Sequence, residues 1–108
     1  MVSFFFYNKL TDKELLKKIS PTFDITDGYI IIESYDRENN ILIINDKSKN
    51  NNTILYGKIV DFSNMNLGVV LEKLSYIEEC KLKKEKYTLD TICANKKFGG
   101  VCKTYIIS

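Results

Sequence analysis

The sequence predicts an α+β domain: a small, mostly antiparallel curled sheet or β-barrel of about six strands with two helices. Three observations carry that reading. Short runs rich in Ile, Val, Phe and Tyr alternate with turn-forming residues. Only two segments place their apolar residues at helical spacing. The chain has 108 residues, room for one core and not for two, so residues 1–108 read as a single domain.

Ser3 to Tyr7 (SFFFY) reads as a buried first strand, and Asn8-Lys9-Leu10 as the tight turn after it. Thr11-Asp12-Lys13-Glu14 is a capping-box pattern with Thr11 as N-cap and Glu14 at the third helical position. Leu15, Leu16 and Ile19 give that short helix an apolar side, and Ser20-Pro21 ends it. Asp27-Gly28 reads as a turn, Tyr29 to Tyr35 as a strand, Asp36 to Asn40 as a turn, and Ile41 to Ile44 as a strand. Asp46 to Asn52 is a polar loop. Thr53 to Phe62 is a strand in which Gly57 marks a bulge or a close backbone approach. The second helix spans about Leu67 to Glu79, with Leu67, Val70, Leu71, Leu74 and Ile77 at helical spacing. Cys80 to Lys86 is a charged loop. Tyr87 to Ala94 and Val101 to Ile107 are strands joined by a turn through Gly99-Gly100.

Charge and composition exclude several functions. Sixteen basic residues against 14 acidic ones leave a net charge of +2. Arg37 is the one arginine, and base or bidentate phosphate readout favours arginine, so no nucleic-acid partner is expected. Histidine is absent. Imidazole-dependent triads and metal sites are therefore excluded, and acid–base work falls to carboxylate, lysine, tyrosine or cysteine. Cys80, Cys93 and Cys102 form no CxxC pair and read as reduced, buried thiols of a cytoplasmic protein. No apolar run is long enough to span a bilayer and no export signal is read, so no membrane partner is expected.

Glu78 breaks the pattern. Leu67, Leu71 and Leu74 stand at i, i+4 and i+7, and the next member of that stripe is Glu78. A helix that turns a carboxylate toward its buried side raises the acid's pKa, which suits a general base near neutral pH. A frayed last turn that releases Glu78 to water is the open alternative. The tight turn at Tyr7, Asn8, Lys9 and Leu10 has two readings as well. Its backbone N–H groups could cradle a carboxylate or oxyanion, or it is an ordinary strand-to-helix connection. Tyr7, Tyr87 and Tyr105 lie in or beside buried strands, where their hydroxyls either find partners or line a pocket.

Taken together, Phe4-Phe5-Phe6-Tyr7-Asn8-Lys9-Leu10, Tyr56-Gly57-Lys58-Ile59, Leu74-Ser75-Tyr76-Ile77-Glu78-Glu79, Tyr87 and Thr104-Tyr105-Ile106 resemble, in order, the motifs of the γ-glutamylcyclotransferase-like family. The likeness is greatest to its short γ-glutamylamine cyclotransferase branch. The chain departs from that pattern at Asn8 and Lys9 in the turn, at Lys58 in the middle strand, and at Ser75 and Glu79 around the glutamate. The resemblance implies a barrel fold, Glu78 as the catalytic acid–base, and a substrate site formed by Tyr7, Asn8, Lys9, Leu10, Tyr87 and Tyr105. It implies release of 5-oxoproline from a small γ-glutamyl amine or γ-glutamyl amino acid, with no cofactor and no metal. A monomer is expected. The alternative is a module on the same fold that binds a small molecule or partner without turnover, as the substituted turn would allow.

Overall fold

The computed structural model describes residues 2–7, 11–32, 34–36, 41–43, 53–77 and 89–107. Along the chain run β1 (Val2–Phe6), α1 (Lys13–Lys17), β2 (Asp24–Ile32), β3 (Ser34–Asp36), β4 (Ile41–Ile43), β5 (Thr53–Phe62), α2 (Leu67–Leu74), β6 (Leu89–Lys96) and β7 (Val101–Ile107). Five strands close a barrel in the order β1-β5-β2-β6-β7. Every pairing in it is antiparallel except the closing one, where β1 meets β7 in parallel at Phe4 and Tyr105. β3 and β4 form a separate two-stranded sheet. The architecture is thus the expected α+β barrel with two helices, built from five barrel strands rather than about six. The expected strand Tyr29 to Tyr35 divides into the end of β2 and the short β3.

The core has two layers. Phe5, Tyr7, Ile30, Ile32, Leu55, Ile59, Ala94 and Ile106 fill the barrel. Phe4, Phe6, Val60, Phe62 and Ile107 point outward and are covered by Leu16 and Ile19 from the α1 region, by Val70 and Leu74 from α2, and by Ile77 just after it. Strands buried on both faces read as unbroken apolar runs, which explains Phe4-Phe5-Phe6. Phe4 packs against Phe6, Phe62 and Tyr105 at ring separations of 5.4, 6.4 and 5.6 Å.

Asp27-Gly28 is not a turn. β2 runs straight through it, with Gly28 opposite Gly57 of β5. Register is unbroken from Asp24↔Asp61 to Ile32↔Thr53, so Gly57 makes no bulge. Both glycines answer to space. A Cβ at Gly57 would collide with the Phe6 carbonyl oxygen and lie 2.7 Å from the Phe5 ring, and one at Gly28 would lie 2.7 Å from the Asn95 carbonyl oxygen. Chain reversal by positive-φ glycine occurs instead at Gly99 and Gly100, in the β6–β7 hairpin.

The first helix is capped one residue later than expected. Asp12, not Thr11, is the N-cap, and its carboxylate accepts the Glu14 N–H at 2.9 Å. The buried-thiol expectation fails for Cys93, which is exposed, and holds in part for Cys102, which is half-buried against the barrel interior. They stand on neighbouring strands with opposite parity, since Cys102 pairs with Ala94 and Cys93 with Lys103. Cys80 and the loops over 46–52 and 80–86 lie outside the described residues.

Candidate functional site

One end of the barrel joins three of its strands. β1 and β7 are parallel, so their C-terminal ends lie together. The Tyr7 hydroxyl donates to the Ile107 carbonyl at 2.7 Å. Ile107 pairs with Leu89, the first residue of β6. Ile77, just after α2, belongs to the same apolar cluster as Ile107, and Leu89 packs on it. Tyr7 and Thr11, Ile77 and Leu89 are the described residues nearest in sequence to Asn8–Leu10, Glu78 and Tyr87. Those five expected site residues lie outside the described residues themselves.

α2 is shorter than its pattern suggests. Asn66 caps it by accepting the Val69 N–H at 2.9 Å. After Leu74 the bonding tightens to i→i−3, with Tyr76 N–H to Lys73 and Ile77 N–H to Leu74. A 3₁₀ turn places i and i+3 over one another. The buried line of the helix therefore passes from Val70 through Leu74 to Ile77. The expected helix to Glu79 is not what the described hydrogen bonds form, and the i+11 spacing that singled out Glu78 rested on that longer helix.

Tyr7 and Tyr105 share this end of the barrel but not a face. Tyr7 is buried in the interior cluster, and its hydroxyl ties β1 to β7. Tyr105 lies against Phe4 on the outer side, half-buried beside the helix-covered cluster.

A second feature, which sequence reasoning missed, lies on the outer face of the β2–β5 pair. Tyr29 and Tyr56 are directly paired, with ring centroids 6.1 Å apart. Two positions along, Asp27 and Lys58 are paired and joined by an ion pair. The hairpin tip adds Lys97, whose N–H donates to the Asp27 carbonyl at 2.9 Å. These five side chains, over the backbone of Gly28 and Gly57, outline an open pocket of about 620 Å³. The hydrogen bond and charge of Lys58, helped by the charge of Lys97, hold the Asp27 carboxyl below its ordinary value of 3.8. Reading Asp27-Gly28 as a turn hid this face. The available signal was the pair of Tyr–Gly steps, Gly28-Tyr29 and Tyr56-Gly57, in two strong strands.

Among the described residues, no group of three or more Cys, Asp or Glu is placed to hold a metal ion. Also among them, no helix is long and apolar enough to cross a membrane. No family model, no curated protein and no solved structure matches the chain.

Proposed function

We propose that the chain is a γ-glutamylcyclotransferase-like enzyme that releases 5-oxoproline from a small γ-glutamyl amine or γ-glutamyl amino acid. The observation that carries the reading is the meeting of Tyr7, Ile107 and Leu89 at one end of a closed barrel, with Ile77 in the apolar cluster that also holds Ile107. Three separate stretches of the family-like pattern adjoin those residues in sequence. Glu78 is the general acid–base. Its carboxylate takes a proton from the substrate's α-ammonium, and the freed amine attacks the γ-carbonyl carbon to close a five-membered ring. Backbone N–H groups of Tyr7 to Leu10 bind the substrate carboxylate or the developing oxyanion. Glu78 then returns that proton to the leaving nitrogen as the γ-amide C–N bond breaks, and the ring nitrogen's extra proton passes to the departing amine, which leaves as an ammonium. The nucleophile belongs to the substrate, so the mechanism asks for no cofactor, metal or histidine. The enzyme would act as a cytoplasmic monomer.

Binding without turnover is the second reading, and the side chains at Asn8, Lys9 and Lys58 favour it. The test is 5-oxoproline release from a panel of γ-glutamyl amines, γ-glutamyl dipeptides and glutathione. The native protein should release it, and Glu78→Gln should lower the rate by about 10²-fold or more with the fold intact. Folded native protein that releases none leaves the binding module as the better reading.

A further inference from the structure

We propose that the pocket on the outer face of β2 and β5 is a binding site for a mononucleotide-sized aromatic anion. The inference is independent of the proposed chemistry at Glu78 and goes beyond it. Ligand pockets are mostly apolar, with a few polar groups placed to orient what binds, and they fall within roughly 300–1,000 Å³. This pocket, at about 620 Å³, fits that description. Its apolar part is the Tyr29–Tyr56 pair, and Tyr56 is 73% exposed although it stands in the middle of a strand. Neighbouring residues with the same outward parity show that the barrel can cover this side of β5, because Val60 and Phe62 are fully buried there. At Tyr29 and Tyr56 the rings instead offer a face on which a planar ring can stack.

The charges select the other half of the ligand. Lys58 and Lys97 supply two ammonium groups and Asp27 one carboxylate, so the pocket carries a net positive charge. Asp27 is held ionised by both lysines and is committed to Lys58. Lys97 is the less committed cation. Its Nζ lies 5.5 Å from the centre of the Phe98 ring, and Phe98 is 91% exposed. Its backbone is fixed on β2 through the Asp27 carbonyl, and the positive-φ glycines Gly99 and Gly100 close the hairpin behind it. A ring stacked on the tyrosines would place an attached phosphate or carboxylate within reach of Lys97 and Lys58.

The test follows backbone amide shifts by NMR while AMP, adenosine and inorganic phosphate are each titrated into the full chain. AMP should move the amides of Gly28, Gly57 and Lys97 saturably, and adenosine and phosphate should each bind more weakly. Tyr56→Ala and Lys97→Ala alter exposed side chains, and each should weaken AMP by about tenfold. A Glu78→Gln chain should bind AMP as the native chain does, which separates this proposal from the cyclotransferase reading. Absence of saturable shifts with AMP overturns the proposal. So does AMP binding that both variants leave unchanged, and so does binding confined to single-stranded oligonucleotides.

Discussion

Along the outer side of β5, Val60 and Phe62 are fully buried, whereas Ile54 and Tyr56 are 49% and 73% exposed. The backbone is the same strand and the parity is the same. The difference is what lies above. The α1 region and α2 cover the barrel over β1 and the second half of β5, and there the outer face of the sheet is apolar. Past Ile25 of β2, and before Val60 of β5, the outward residues become Asp27, Tyr29, Tyr56 and Lys58, none of which belongs to the helix-covered cluster. The covered face holds the larger buried apolar cluster. The bare face leaves aromatic rings and charges free for a ligand.

The largest expected effect on stability sets one face against the other. Phe4 has no exposed surface and touches three aromatic rings. Phe4→Ala should cost about 3–5 kcal/mol of unfolding free energy, from lost burial plus a cavity. Tyr56→Ala, on the bare face, should stay within about 0.5 kcal/mol of the native chain. Urea unfolding of the two variants measures both. A Tyr56 variant as damaged as the Phe4 variant would mean that the bare face is part of the core.

How much of this was legible in the sequence depends on the periodicity of each segment. β5 and β7 match their expected bounds, because long β-branched runs between polar turns admit one reading. The three phenylalanines of β1 announced a buried strand, and the structure buries both of its faces. Gly28 misled, because an Asp-Gly step marks a turn when read locally, whereas its cause is the Asn95 carbonyl across the sheet. α2 misled in the same way. A stripe counted at 3.6 residues per turn runs on to Glu78, but the helix tightens after Leu74 and seats Ile77 in the buried line. Neither the tightening nor the cross-strand carbonyl has a local signature. Of the candidate site, the sequence showed the motif order, and Asn8, Lys9, Leu10, Glu78 and Tyr87 lie outside the described residues. The tyrosine pocket needed the β2–β5 register, which sets Tyr29 beside Tyr56.

A smaller effect probes the closed end. The Tyr7 hydroxyl is buried and donates to Ile107, joining the two parallel strand ends. Tyr7→Phe keeps the ring in the core and removes that bond. It should cost about 1–2 kcal/mol, the usual effect of losing a buried hydrogen bond. Amide exchange should quicken at Ile107 and Leu89 more than at Tyr29 and Tyr56. Uniform quickening would mean that the bond stabilises the whole barrel and not this end.

The smallest effect belongs to the bare face. Asp27 titrates below its ordinary value of 3.8 because Lys58 bonds and attracts its carboxylate and Lys97 adds its charge. A depressed folded-state pKa means that the unfolded chain binds more protons between the two values. The pair therefore stabilises the fold above about 3.8, and that contribution disappears as pH falls through the folded value. Asp27→Asn should lower the melting temperature slightly at neutral pH and low salt. The gap between variant and native chain should close in acid, and also at high salt, because the pair is solvent-exposed. A gap that persists unchanged in acid would show that the asparagine acts through packing. The charge arrangement at the mouth of the pocket, and with it the preference for an anion, would then have to be argued from Lys97 alone.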